Sequence, residues 1–232
     1  MSLRIPGGGV SGRNPFGPVW TGGKPQVQQT VGAQVQDTLF GKPKPAVLNQ
    51  DDADCAALLA RLHSFRKRLA RLAGDAEDDY RLLLSEGTIA MVDQDGTIYV
   101  GKQFLLSTSS QLDLQVGVLA HEVGHRPKRW GEYRQQRELS KEEMNQLCRT
   151  EETRADYFSG RALAELGLAC APLVAFLKAI QVHPHPEYFP ADVRAQVIED
   201  GFTSGKRQAN DRKKFFPEFA RLHGAKGDLG GG

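Results

Sequence analysis

Between Leu112 and His125 the chain specifies a helix that must bury polar chemistry along with its apolar face. Leu112, Val116, Leu119, Ala120 and Val123 recur at helical spacing, and the segment closes with His121-Glu122-Val123-Gly124-His125. Histidines at i and i+4 stand one above the other on a helix, close enough for both imidazoles to reach one metal ion. Glu122 projects beside them, where it can accept a proton from a water held by that metal. Two neutral imidazoles and a third protein ligand leave a fourth tetrahedral position open. The plainer alternative is a pair of surface histidines on an ordinary helix.

A second segment offers the missing ligand. The spacing predicts a long helix over 142–166, stopped at Gly167. Glu152 and Asp156 lie one turn apart on it, and Ala155, Phe158, Ala162, Leu163 and Leu166 turn it toward a core. Glu152 could complete a His-His-Glu zinc site, and Asp156 could hold a ligand imidazole by its other N–H, as metal-bound histidines usually require. Glu151 reads instead as part of a solvated face with Arg149 and Arg154.

Composition divides the 232 residues into three parts. Residues 1–48 hold nine Gly and six Pro, with five basic side chains against one acid. Such a stretch is expected to be a largely disordered leader, because it offers little apolar surface to offset ordering entropy. Residues 49–204 carry the helical periodicity and an acidic excess, and form the expected folded domain. From Gly205 to Gly232 a basic tail interleaves Phe215, Phe216 and Phe219, which are expected to dock on the domain. Within the domain, Asp51 or Asp52 is expected to cap a helix ending near Gly74; strands are expected at 88–92 and 97–100 around Asp95-Gly96. Further helices are expected from Pro172 to Ile180 and from Ala191 to Asp200, the last ending at Gly201. The fold class expected is α+β: mostly helical, with a small antiparallel sheet beside the HExxH helix.

Three widely spaced cysteines, Cys55, Cys148 and Cys170, argue against a disulfide scaffold and for a reducing compartment. No apolar run approaches the roughly 20 residues that span a bilayer, and the N-terminus has no apolar signal core. The expected location is cytoplasmic, or outside the cell by a leaderless route. The basic tail does not by itself point to nucleic acid. PGGGVSG matches no phosphate-binding loop, and His63 reads as an exposed helical histidine beside Arg66, Lys67 and Arg68.

GTIYVGKQFLL, then LDLQVGVLAHEVGH, then ETRADYFSGRALAELG, spread over about residues 85–200, together resemble the gluzincin peptidases of the HtpX and CAAX prenyl endopeptidase type. The soluble bacterial members are the nearest in pattern. The resemblance implies a zincin-like fold and a zinc-dependent endopeptidase acting on a protein or peptide. It makes His121, His125 and Glu152 the ligands of one catalytic Zn2+ and Glu122 the general base. It implies that the strand Thr97–Val100 pairs with an extended substrate. It also implies a His-Pro element and an Arg helping to hold the oxyanion: His183 or His185, with His185 preferred as nearer Arg194. Tyr157 is a weaker candidate for that donor.

The 26 residues between His125 and Glu152 form a short gap, also found in ImmA/IrrE-like metalloproteases. Two other readings fit the same residues. One is a non-catalytic zinc-containing interaction module; the other is a toxin-like protease exported without a leader, with residues 1–48 engaging a secretion or packaging partner.

Overall fold

The computed structural model describes residues 30–130, 132–133, 135, 137–181 and 183–215. The first 29 residues, including PGGGVSG, and the tail from Phe216, including Phe219, lie outside them, as do the expectations attached to those segments. In chain order the elements are α1 (Val31–Phe40), α2 (Ala56–Ala73), β1 (Arg81–Ser85), β2 (Ala90–Val92), β3 (Thr97–Gly101), α3 (Lys102–Ser107), α4 (Leu112–Gly124), α5 (Pro127–Trp130), α6 (Lys141–Leu166), α7 (Ala171–Ile180) and α8 (Ala191–Phe215). The architecture is α+β and mostly helical.

Helix α4 is the centre of the fold. It packs against α2, α6, α7 and strand β2. Val116, Leu119, Ala120 and Val123 are almost completely buried, and each large apolar side chain so placed contributes about 1.5–3 kcal/mol. Helix α6 is defined at both ends. Ser140 Oγ accepts from the Glu143 amide while the Glu143 carboxylate accepts from the Ser140 amide, and Gly167 closes the helix at φ +76°.

The three strands are ordered β1-β3-β2, with β1 parallel and β2 antiparallel to β3. The sheet is therefore mixed, not antiparallel as expected. The difference is β1, whose Leu82 and Leu84 face Ile98 and Val100 across the ladder. Asp93 fixes the turn between β2 and β3: its Oδ1 accepts from the amides of Asp95 and Thr97 at 3.0 and 2.9 Å. Because β3 is central, both of its edges are taken, and the strand Thr97–Val100 cannot receive a substrate backbone. The outer edge of β2 carries no strand among the described residues.

Three boundaries differ from expectation. Residues 30–48, assigned by composition to the leader, belong to the domain. Val35 is fully buried and Phe40 nearly so, Thr30 caps α1 through the Ala33 amide, and Leu48 donates to Leu84 of β1. The four apolar residues Val31, Val35, Leu39 and Phe40 suffice to seat one helix face, a pattern that averaging over nine glycines conceals. Helix α2 starts at Ala56, because the Asp52 carbonyl accepts from Cys55 and Ala56 in a preceding turn and neither aspartate caps it with its side chain. Helix α8 runs on through Gly201 to Phe215. There, glycine serves close approach rather than termination: a Cβ at Gly201 would overlap the Tyr157 carbonyl, and one at Gly160 would overlap the Ile198 carbonyl.

Candidate metal centre

Helices α4 and α6 meet where Gly124 lies against α6; a Cβ there would come within 2.9 Å of Ala155 Cα. That approach brings the Nε2 atoms of His121 and His125 to 3.3 and 3.8 Å from the Glu152 carboxylate. One ligand atom from each of the three residues lies within 4.8 Å of the others. Tetrahedral zinc with ligands at about 2.0–2.2 Å has ligand–ligand edges of about 3.4 Å, so the donor set and its spacing fit a single ion of that kind. The His-His-Glu group could hold a metal ion.

The surroundings orient the three ligands unequally. Asp156 Oδ1 lies 3.0 Å from His121 Nδ1, which leaves Nε2 facing the shared space. His125 has no such partner: its Nδ1 is buried without a hydrogen bond, and its ring sits edge-on to Phe40 at 5.7 Å. Its backbone is held instead, since Arg154 donates to the His125 carbonyl at 3.1 Å. One residue further on, Arg126 adopts φ +48° and pairs with Asp75 through two nitrogens at 3.0 and 2.6 Å. Tyr80 bridges Asp75 and the Val123 carbonyl. The end of α4 is clamped at the point where its second histidine must be placed.

Protonation is divided sharply. Burial opposes a charge on His121, but hydrogen bonds to Asp156 and Glu152 outweigh it and raise the imidazole to about 10. Burial lowers His125 to about 3. Glu152 is also opposed by burial, yet the two histidines hold it down to about 2. Burial pushes Glu122 upward, and the Glu152 charge adds to that while His121 opposes it.

All four residues line a cavity of about 550 Å³. Its walls are the β2 edge from Thr88 to Val92, Leu39 and Phe40 of α1, Val118 of α4, and Leu173, Phe176 and Leu177 of α7. His183, His185 and Tyr188, from the segment joining α7 to α8, line it as well.

The remaining expected residues are placed differently from one another. His185 is exposed at this cavity, its Nδ1 accepting from the Glu187 amide at 3.3 Å; His183 is exposed there too. Arg194 comes to the site but not as a free donor. It is 8% exposed, with Nε and Nη2 on Asp156 at 2.7 and 2.9 Å, Nη2 also 3.3 Å from Glu152, and Nη1 on Gln181. With Nε and Nη2 on Asp156 and Glu152, Arg194 holds the two carboxylates in place. Tyr157 is 40% exposed and does not line the cavity. Glu151 is buried and paired with Arg154, so it is not the solvated acid expected of it. The β2 edge, the α7 wall and Tyr188 were not anticipated. Tyr188 carried one available signal, since it falls between the His-Pro repeat and Arg194 in sequence.

The chain matches no family model, no curated protein and no solved structure. Fold and site together define a mostly helical α+β protein with an accessible His-His-Glu group. Among the described residues no helix is long and apolar enough to cross a membrane.

Proposed function

We propose that the chain is a zinc-dependent endopeptidase with a zincin-like arrangement, hydrolysing peptide bonds of a protein or peptide substrate. The observation that carries this reading is the convergence of His121, His125 and Glu152 at the floor of a cavity that Glu122 also lines. Zinc held by those three side chains would polarise the scissile carbonyl and lower the pKa of a coordinated water toward neutral.

The chain's own residues supply the rest. Glu122 lines the cavity beside those ligands, and burial raises the proton affinity of its carboxylate, which suits it to take a proton from the attacking water and return it to the leaving amine. Asp156 fixes the His121 ring, and Arg194 holds Asp156. The outer edge of β2, which pairs with no strand among the described residues, borders the cavity, so an extended peptide can add to the sheet there beside the Val92 amide held by Glu122, taking the role first expected of Thr97–Val100. The apolar residues of α7 then favour an apolar substrate side chain. His185 also lines the cavity.

Glu122→Gln tests the reading. The variant is expected to retain stoichiometric zinc and lose peptide cleavage by a factor on the order of 10³ or more. Full activity in that variant would refute the mechanism. The interaction-module reading predicts instead that no chelator-sensitive cleavage exists in the unmodified protein.

A further inference from the structure

Hydrolysis through this site is favoured by a hydrogen-bond donor to the oxygen that gains charge when water adds to the carbonyl. Arg194 is committed to Asp156, Glu152 and Gln181. Two hydroxyl groups line the cavity: that of Thr88 is turned to the Ala90 carbonyl at 3.3 Å, which leaves that of Tyr188.

The Tyr188 ring is fixed from two sides. The Arg194 guanidinium carbon lies 4.9 Å from its centroid, and the His185 ring meets it edge-on at 5.0 Å. Its amide donates to the His185 carbonyl at 3.2 Å. Arg194 also touches Glu152, so the same guanidinium locates both the phenol ring and a metal ligand. The hydroxyl itself forms no hydrogen bond among the described residues. Burial and the nearby Glu152 charge push the phenol upward against the opposing Arg194 charge, which favours the protonated, donating hydroxyl.

We propose that Tyr188 is a catalytic residue that donates a hydrogen bond to the oxyanion of the tetrahedral intermediate. This rests on the hydrolytic reading above. As the water oxygen bonds to the carbonyl carbon, the π pair moves onto the carbonyl oxygen and Glu122 takes the water proton. Tyr188 O–H donates to that oxygen without giving up its proton. When the intermediate collapses, the C–N bond breaks, the π bond re-forms, and the proton on Glu122 passes to the amine. Tyr188 ends as it began, and no further reactant is needed.

The test is Tyr188→Phe in the zinc-loaded full chain. Because the hydroxyl bonds to no described residue, phenylalanine keeps the ring packing, and zinc content and melting temperature are expected to match the unmodified protein. Removing one such donor is expected to lower kcat by a factor on the order of 10² with little change in KM. A phosphinic peptide, whose tetrahedral oxygens resemble the intermediate, should bind more weakly by a similar factor. The same unmodified peptide substrate bound to Glu122→Gln should be held equally well with or without the Tyr188 change. Unchanged kcat and phosphinate affinity would overturn the assignment while leaving the hydrolytic reading intact, as would loss of zinc from Tyr188→Phe. Full activity of Glu122→Gln, or absence of chelator-sensitive cleavage in the unmodified protein, would remove the hydrolytic reading and this inference together.

Discussion

His121 and His125 are the same residue type one turn apart, yet the fold moves their protonation in opposite directions. His121 sits between Asp156 and Glu152 and is raised to about 10, whereas burial drives His125 down to about 3. Both shifts have consequences for the metal-free protein. His121 binds a proton more tightly folded than unfolded, so its stabilisation is complete below the ordinary 6.5 and is lost as pH rises toward 10. His125 has the opposite sign: stability falls as pH drops from 6.5 toward 3, and Glu152 adds a further loss between its ordinary 4.5 and about 2. Urea unfolding in chelator should therefore show greatest stability near pH 6.5, and a flat profile from pH 4 to 9 would contradict these positions. Asp156→Asn keeps the size of the side chain but weakens both the His121 and Arg194 contacts. It is expected to lower zinc affinity about 10–100-fold in competition with a chromophoric chelator; unchanged affinity would show that Asp156 does not orient the ligand. At this scale the sequence is informative about residue type and spacing, which bring His121, His125, Glu122 and Glu152 forward as candidates. It does not reveal that Arg194 pairs with Asp156 and Glu152, because those contacts join residues 38 and 42 positions apart in the chain.

At the scale of elements, α4 and α6 were legible because each carries a complete apolar stripe, and α6 also has Gly167 at its end. The sheet was less so. β1 has only the run Leu82-Leu83-Leu84 to announce it, and its parallel pairing with β3 depends on β2 being folded back to the outside. Strand order, and with it the identity of the free edge beside the cavity, is a tertiary property that a local pattern does not encode. The stop expected at Gly201 failed for a related reason. Glycine at a helix end and glycine at a helix crossing look identical in one sequence, and only the closeness of α6 and α8 distinguishes them. Gly160→Ala is expected to cost about 1–3 kcal/mol by forcing those helices apart. Since Arg194 rides on α8, the same change should weaken metal binding; denaturation and zinc titration read the two effects separately. No change in either would mean that the crossing is looser than described.

At the scale of the described chain, His121, His125 and Glu152 converge beside a cavity of about 550 Å³ that all three line. Residues near the N-terminus contribute to this. Leu39 and Phe40 line the cavity, and the Phe40 ring meets His125. Deleting residues 1–48 is therefore expected to lower both the unfolding midpoint and zinc affinity, and a fully stable truncated protein would contradict the placement of α1. Composition could not show this boundary, because a ten-residue helix contributes few apolar residues to a segment dominated by glycine and proline.

The most direct test is zinc affinity of the full chain, measured beside Glu152→Ala. Convergence of His121, His125 and Glu152 on one ion predicts one zinc bound per chain, tightly, with one proton released from His121 at pH 7 and a drop in affinity of at least about tenfold on losing the carboxylate. Failure to bind zinc stoichiometrically, or equal affinity with alanine at residue 152, would contradict it.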